Sequence, residues 1–374
     1  MTQDILYVAA SFILSSVCGF IFIPLIMNFC KKKGLYDLPD SRKIHKNAIP
    51  RLGGISFMPS MVLASLVVVA VYYQQIFNQQ IQLSTWSIGF FFSLLIIYGV
   101  GIVDDLVGLG AKTKFTAQII AAIVLPLSGL YINNLYGFCG IEEIPFIVGA
   151  PLTVFVMVFI SNAINLIDGI DGLSAGLSFI ALTGFLICFM REEGMTTYCI
   201  LIAGLMGVLV PFFYFNIFGK AEKNRKIFMG DSGSLTLGFI LGFLFVKFTM
   251  DNPKVMTFSF DSMMLAYSLL IVPVYDVVRV SLVRMRHKVP IFRADKNHIH
   301  HKLLRTGQNQ HQVLACILLL AIAYIAINII LWPMCDMSTL VLIDIAVWLA
   351  FHMCINLAIR KNGQQVYLAN SEKK

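Results

Sequence analysis

The sequence predicts an all-α polytopic membrane protein with about eleven transmembrane helices. Three observations favour this fold class: 58% of the 374 residues are hydrophobic, only 13% are charged, and the mean hydropathy is +0.81. Soluble domains usually carry about 25% charged residues. The composition therefore excludes soluble globular, disordered and disulfide-rich secreted proteins.

Eleven segments carry the run of about 20 apolar residues that a helix needs to cross the hydrocarbon core. They are 5–29, 53–73, 86–103, 115–132, 146–166, 173–190, 198–217, 233–249, 262–283, 312–332 and 338–359. The first has no basic residue before it and is followed by Lys31, Lys32 and Lys33, the opposite of a cleavable signal peptide. We expect one membrane domain over residues 1–374, with a core at 5–359 and a tail at 360–374.

Basic residues are concentrated in alternate loops. With eleven alternating helices, 24 of the 28 Lys and Arg residues fall on one side of the membrane. Cytoplasmic loops carry an excess of Lys and Arg. We therefore expect the N-terminus outside, the C-terminus in the cytoplasm, and a functional cleft on the cytoplasmic face. The net charge of +8 lies in short loops between apolar runs, so it does not indicate nucleic-acid binding.

Five aspartates lie at helix ends on this predicted face: Asp104, Asp105, Asp168, Asp171 and Asp231. Carboxylates at bilayer depth are costly unless they are paired with cations or solvated in a cavity. Asp104, Asp105 and Asp231 suit a divalent cation with oxygen ligands, and Mg²⁺ is the usual cation beside phosphates. Considered singly, Asp104-Asp105 is compatible with a helix cap, and Asp168 and Asp171 with Asp-Gly turns. Their convergence on one face favours a catalytic site.

Three glycine-rich segments lie at helix ends: PRLGG at 50–54, DGIDGLSAG at 168–176 and GDSGSLTLG at 230–238. Glycine lets backbone N–H groups approach a phosphate closely, and helix N-termini attract anions. Close helix packing through small residues is the alternative explanation. The sequence does not decide between them.

The last large loop reads PIFRADKNHIHHKLLRTG and holds His298, His300 and His301 among basic residues. The positive surroundings favour an anion clamp for a pyrophosphate. A zinc site and a solvated loop are the alternatives. 

Four further charged residues lie within or beside the apolar runs and are candidates for a functional or structural role. Lys114, at the start of the fourth span, suits a lipid phosphate, or else an ordinary positive-inside anchor. Asp276 and Arg279 stand at i and i+3, so we expect a structural ion pair within the ninth span. Asp344 in the eleventh span, like His352, has no explanation from the sequence.

Five motifs occur in order along the chain. They are HKNAIPRLGG at 45–54, DD at 104–105 with Lys114, NxxNxxDGxDGL at 162–173, FMGDSGS at 228–234 and HxHH at 298–301. Together they resemble the polyprenyl-phosphate N-acetylhexosamine-1-phosphate transferases, over about residues 30–310. The DxxHxHH pattern from Asp295 is similar to the GlcNAc-1-phosphate branch, whereas the phospho-MurNAc-pentapeptide branch typically carries an HHH-type motif.

The resemblance implies transfer of GlcNAc-1-phosphate from UDP-GlcNAc to undecaprenyl phosphate, with UMP as the second product. This would be the first membrane step of a surface polysaccharide pathway, such as O-antigen, enterobacterial common antigen or teichoic-acid linkage synthesis. It further implies an Mg²⁺ cofactor, with Mn²⁺ as an alternative, and a homodimer. The protein would lie in the bacterial inner membrane with its active site facing the cytoplasm.

The resemblance also implies roles for residues on the metal and lipid side. Asp231 matches the principal Mg²⁺ ligand, with Asn165 assisting. Asp104 matches a residue that acts near the lipid phosphate as a base or an orienting group, with Asp105 in support. Lys114 would bind the undecaprenyl phosphate. A covalent aspartyl-phosphate route is the alternative to direct transfer.

On the donor side, Asp168 and Asp171 match an acidic pair near the nucleotide. Phe228 matches a position that stacks on uracil. The second and third histidines of the HxHH motif would contact the phosphates, with the first in support. Alternative functions are a phospho-MurNAc-pentapeptide transferase, a transferase of another UDP-HexNAc, and a transporter. Transport would need charges along a route between the two faces, whereas most charged motifs lie on one predicted face.

Overall fold

Most of the described residues are helical. The computed structural model describes residues 2–37, 48–77, 84–220, 222, 225–256, 259–290 and 295–368. Twelve α-helices occur in these residues: α1 (Thr2–Lys33), α2 (Phe57–Tyr72), α3 (Thr85–Val107), α4 (Ala111–Leu127), α5 (Phe146–Ile167), α6 (Leu173–Phe189), α7 (Thr196–Ile217), α8 (Asp231–Thr249), α9 (Ser262–Arg286), α10 (Ile299–Arg305), α11 (Gln310–Leu331) and α12 (Met337–Lys361).

Each of the eleven predicted spans coincides with one long helix, and α10 is a short additional helix between α9 and α11. Within the described ranges, nine helices are long and apolar enough to cross a membrane. The chain is therefore an all-helical, multi-pass membrane protein. Helices α4 and α6, with 17 residues each, are not among the nine. The count of eleven, the sides of the termini and the side of the cleft stay predictions.

Two short antiparallel strand pairs add to the predicted all-α fold. β1 (Tyr36–Asp37) pairs with β2 (Ile49–Pro50), and β3 (Asn134–Phe138) pairs with β4 (Ile141–Glu143). The first pair connects the end of α1 to the PRLGG segment. The second forms a hairpin between α4 and α5, at the helix ends opposite to the aspartates.

Helix α8 is the centre of the bundle. Every residue from Ser232 to Thr249 is buried, and α3, α5, α6 and α9 all contact this helix. Its glycines allow close packing: a Cβ atom at Gly238 would lie 2.6 Å from the Cα atom of Ser161 in α5. The packing places the first residue of α8, Asp231, among the ends of α3, α4 and α5.

The PRLGG segment and the segment before α8 are held together through their backbones. The Phe228 N–H donates to the Pro50 carbonyl at 2.7 Å, and the Gly54 N–H donates to the Met229 carbonyl at 2.7 Å. A Cβ atom at Gly54 would lie 2.1 Å from the Cα atom of Gly233. Close packing therefore accounts for the glycines at this contact, which supports the packing alternative.

Candidate active site

Lys114 joins two of the predicted site carboxylates. Its Nζ donates to Asp231 Oδ2 at 2.6 Å and to Asp104 Oδ2 at 3.1 Å. Asp104 comes from the last turn of α3, Lys114 from the first turn of α4, and Asp231 begins α8. The other oxygen of Asp104 accepts the Leu109 N–H at 2.6 Å, within the turn that connects α3 to α4. Three residues that were predicted from two separate motifs thus form one cluster.

Asp105 faces the start of α8 instead of this cluster. Its two oxygens accept the backbone N–H groups of Asp231 at 2.8 Å and Ser232 at 2.9 Å, and the residue is 4% exposed. The first N–H groups of a helix have no partner within the helix, so Asp105 caps α8 from a neighbouring helix. Gly230 is needed beside it, because a Cβ atom there would lie 2.6 Å from a carboxylate oxygen. The helix-cap alternative thus describes Asp105, although the helix is α8; its catalytic role stays a prediction.

Asn165 of α5 orients the same aspartate. Its Nδ2 donates to Asp231 Oδ1 at 3.2 Å and to Ser234 Oγ at 2.8 Å. The amide nitrogen faces the carboxylate, so this contact supports Asp231. Metal ligation by the Asn165 oxygen stays a prediction.

The donor set of the cluster fits a metal that is shared with a substrate. In the described part of the chain, no group of three or more His, Cys, Asp or Glu side chains is arranged to hold a metal ion. However, Asp104 and Asp231 both reach one cation, the Lys114 ammonium. At phosphate sites Mg²⁺ is usually held by one or two carboxylates together with substrate oxygens. Asp104 and Asp231 suit that mode.

The DGIDG loop contributes a second pair of acidic residues. Asp171 accepts a hydrogen bond from Lys226 Nζ at 2.6 Å. Asp168 directly follows α5 and is exposed. The surrounding protein atoms remove part of the solvation of its charged form, and this effect, followed by the negative charges of Asp171, Asp231 and Asp105, raises the pKa of Asp168 to about 7. Sequence reasoning counted Lys226 only as one of many positive charges and missed this ion pair.

A buried asparagine connects the DGIDG loop to the segment before α8. Asn216, at the end of α7, accepts the Gly172 N–H at 2.7 Å and donates to the Ile227 carbonyl at 2.8 Å. Gly172 has a φ of +77°, a left-handed conformation that favours glycine. Asn216 was also missed, and its only signal in the sequence is a polar residue at the end of an apolar run.

Asp276 and Arg279 form the predicted ion pair, which also holds the histidine motif. Arg279 Nη2 donates to Asp276 Oδ1 at 2.7 Å and to the Asn297 carbonyl at 2.5 Å. Asp276 Oδ2 lies 2.7 Å from His298 Nδ1, and Asp276 Oδ1 accepts the Ile299 N–H at 2.9 Å. The predicted pair is confirmed, and it anchors the start of α10.

His300 brings the histidine motif against the DGIDG loop. A Cβ atom at Gly169 would lie 2.0 Å from His300 Nε2, so the ring occupies the space of a missing side chain. His298 is 6% exposed and His300 1% exposed, so the solvated-loop alternative is wrong. Within the described ranges, neither ring nitrogen of His300 has a hydrogen-bond partner.

Burial keeps two of these histidines neutral. It lowers the pKa of His300 well below the ordinary value of 6.5, with the nearby His301 and His298 adding to the effect. Burial, with the neighbouring His298 and Lys296 adding to the effect, lowers the pKa of His301 to about 4. At neutral pH both imidazoles therefore act as neutral hydrogen-bonding groups. The positive charge that attracts an anion to this loop would come from its lysine and arginine residues.

Phe228 lies beside these loops with its side chain partly exposed. Its backbone N–H donates to the Pro50 carbonyl of the PRLGG segment, and Asp231 follows three residues later in the chain. Stacking on uracil stays a prediction for this ring. Residues 45–47 of the first motif and Arg293 of the last loop lie outside the described residues.

The two polar residues without an explanation have partners in the structure. Asp344 Oδ2 accepts a hydrogen bond from Asn328 Nδ2 of α11 at 3.0 Å. His352 Nδ1 lies 3.4 Å from Lys302 Nζ, which also donates to Asn356 Oδ1 at 2.6 Å. These contacts attach α12 to α11 and to α10.

Comparison with known proteins gives consistent matches. The profile of glycosyl transferase family 4 matches residues 87–249. A probable undecaprenyl-phosphate N-acetylglucosaminyl 1-phosphate transferase of Bacillus subtilis (strain 168) is 30% identical over 372 residues, which cover 96% of this chain and 91% of the relative.

Enterobacterial and Yersinia relatives agree with this match. An undecaprenyl-phosphate alpha-N-acetylglucosaminyl 1-phosphate transferase of Escherichia coli (strain K12) is 30% identical over 83% of this chain and 81% of its own. A protein of the same name from Yersinia pestis is 28% identical over 80% and 77%, respectively. The chain therefore belongs to glycosyl transferase family 4, among the polyprenyl-phosphate N-acetylhexosamine-1-phosphate transferases and in the branch of these bacterial relatives.

Proposed function

We propose that this phosphoglycosyltransferase transfers GlcNAc-1-phosphate from UDP-GlcNAc to undecaprenyl phosphate. An oxygen of the acceptor phosphate attacks the β-phosphorus of the donor, and the bond from that phosphorus to UMP breaks. The observation that supports the proposal is the cluster of Asp104, Lys114 and Asp231, which joins an ammonium group to two carboxylates. The names of the bacterial relatives support the choice of donor and acceptor.

Lys114 would bind the acceptor phosphate. Its ammonium is already held at 3.1 Å or less by two carboxylates from different helices, so its position is fixed before the substrate arrives. A phosphate monoester is largely ionised at neutral pH, since its second pKa is about 6. Proton removal is then not required, and Asp104 would act mainly by orienting Lys114 and the attacking oxygen.

Asp231 would hold Mg²⁺, or Mn²⁺, together with the donor diphosphate, while Asp104 keeps its hydrogen bond from Lys114. When bound, such a metal neutralises negative charge on the phosphates and on the leaving UMP. Two neighbours keep Asp231 in this position: Asp105 accepts its backbone N–H, and Asn165 donates to its side-chain carboxylate.

The donor would lie across the DGIDG loop. Lys226, held by Asp171, provides a positive charge beside this loop, and Phe228 provides an aromatic face for uracil. His300 and His301, as neutral imidazoles, would donate hydrogen bonds to the phosphates or the sugar. We place these groups at the cytoplasmic face of the bacterial inner membrane, in agreement with the basic loops. The homodimer that the resemblance implies stays a prediction, which the mass of the purified protein tests.

The test measures transfer of radiolabelled sugar phosphate to undecaprenyl phosphate by the purified protein. UDP-GlcNAc, UDP-GalNAc and UDP-MurNAc-pentapeptide are offered separately, each with Mg²⁺, with Mn²⁺ and with a chelator. We expect metal-dependent lipid product and UMP from UDP-GlcNAc alone. Product from another donor only would overturn the choice of donor, and no product from any donor by folded protein would overturn the proposed reaction.

A further inference from the structure

The chain after α12 folds back onto the loop that carries the histidine motif. Helix α12 ends at Lys361, and Gly363, with a φ of +67°, follows in a turn. We call Asn362–Leu368 the C-terminal strap. Residues 369–374 lie outside the described residues.

The strap is attached to this loop by three hydrogen bonds and one aromatic stack. Asn297 Nδ2 donates to the Leu368 carbonyl at 3.2 Å, and Asn297 Oδ1 accepts the Leu368 N–H at 3.1 Å. The ring of Tyr367 stacks on that of His287, with centroids 3.8 Å apart and planes 2° from parallel. At the near end, Asn362 Nδ2 donates to a backbone carbonyl just after α10 at 2.6 Å. The strap thus spans the loop from the end of α9 to the end of α10.

An apolar contact adds to this attachment. Val366 packs on the buried cluster that includes Ile299 and Leu303 of α10. Three strap residues also line a cavity of about 420 Å³ together with Lys296, His301 and Arg305. The strap therefore forms part of the wall of a cationic cavity that includes a candidate donor-binding histidine.

The attachment point is next to the histidine motif itself. Asn297 is 2% exposed, and its carbonyl accepts the hydrogen bond from Arg279. The next residue, His298, is held by Asp276, and two residues later His300 fills the space beside Gly169. A shift of Asn297 would therefore be transmitted to His300 through the two residues between them.

We propose that the C-terminal strap is a positioning element of the donor site. It holds the loop so that His300 stays against Gly169 and His301 stays in the cavity wall. The strap contacts neither Asp104 nor Lys114, so binding of the lipid acceptor does not depend on it. This inference rests on the proposed function, because it assigns the histidine loop to the donor.

Four variants of the full-length protein test it. Tyr367→Ala removes the ring stack, and Tyr367→Phe keeps it. Truncation after Gly363 removes the contacts of Val366, Tyr367 and Leu368, whereas truncation after Leu368 leaves every described contact in place. The KM values for UDP-GlcNAc and for undecaprenyl phosphate are measured separately for each variant. 

We expect Tyr367→Ala to raise the donor KM about threefold to tenfold, the range that corresponds to loss of one aromatic pair. Truncation after Gly363 raises it further, and the acceptor KM is unchanged in both. Tyr367→Phe and truncation after Leu368 behave like the unmodified protein. Trypsin should also cut residues 284–305 faster in the protein truncated after Gly363, with or without activity.

Two results would overturn the strap's role. One is an unchanged donor KM in the protein truncated after Gly363. The other is a fall in kcat with both KM values unchanged, which indicates only a smaller folded fraction. Failure of the proposed function is a different result: the unmodified protein would then make no lipid product from UDP-GlcNAc.

Discussion

The contact between Gly169 and His300 gives a sharp test of the site's construction. A Cβ atom at residue 169 would lie 2.0, 2.4 and 2.8 Å from three atoms of the His300 ring. Gly169 has no left-handed φ, so alanine is strained there by contact alone. The ring would have to retreat by roughly 1 Å or more, and a misplacement of this size near a reacting group can cost about 10²-fold in rate.

The stability cost follows from the same contact. Overfilling a well-packed site typically costs about 1–3 kcal/mol. His300 is 1% exposed and part of α10, so its ring cannot move into solvent without moving the helix. We expect Gly169→Ala to lower turnover about 100-fold and to lower the unfolding temperature.

The assay compares Gly169→Ala with His300→Ala and with the double variant, in transfer rate and in thermal unfolding. In the double variant the added methyl group meets no ring, so most of the stability cost should disappear. Gly99→Ala is the matched control, because a Cβ atom there meets nothing within 4 Å. Turnover of Gly169→Ala within twofold of the unmodified protein, or fully additive stability costs in the double variant, would refute this reasoning.

Further outcomes are expected at four other residues. Asp231→Asn should lower transfer at least about 100-fold at saturating Mg²⁺ with an unchanged unfolding temperature; near-normal activity would contradict its role as metal ligand. Asp105→Asn should lower the free energy of unfolding by about 1–3 kcal/mol, because its amide NH₂ cannot accept the N–H that a carboxylate oxygen accepts now; an unchanged unfolding temperature would contradict the capping role. Because the pKa of Asp168 is raised to about 7, its charged form increases from about pH 6 to 8. If the carboxylate accepts hydrogen bonds from the uracil or ribose of the donor, the donor KM should fall over this interval, and Asp168→Asn should remove the dependence. A raised pKa also means that ionisation opposes folding, so the unmodified protein should lose stability relative to Asp168→Asn as the pH rises from the ordinary carboxyl pKa of 3.8 to about 7. In a Cys335→Ser background, Cys139, exposed in the β3–β4 hairpin, should react in intact cells with a maleimide that cannot cross the membrane, and Cys139→Ser should remove this labelling; protection of Cys139 until the cells are opened would contradict the predicted orientation.

Helix positions could be predicted because they depend on local composition. A span needs an uninterrupted apolar run, and each predicted run coincides with a helix in the structure. The seven-residue helix α10 lacks such a run, and the strand pairs depend on partners elsewhere in the chain. Neither could be predicted from hydropathy.

In the candidate site, too, the sequence predicts which residues take part, but not the contacts between residues that are distant in the chain. Motifs identified Asp104, Asp105 and Asp231, but not which carboxylate faces which group. Adjacent residues of a helix point about 100° apart, so one of the two neighbouring aspartates had to face away from the cluster; the packing of α3 on α8 decides that it is Asp105. Lys226 and Asn216 were missed because their partners are 55 and 44 residues away, a distance over which a single sequence carries no pairing signal.

The contact between Gly54 and Gly233 has a consequence for how this protein tolerates mutation. The two backbones meet where no side chain fits, since a Cβ atom at Gly54 would lie 2.1 Å from the other backbone. Gly233 is two residues after Asp231, so a larger residue at either position would displace the carboxylate without touching it. In a saturation screen of the chain, these two glycines should therefore be as intolerant as the aspartates, although they contribute no reactive group.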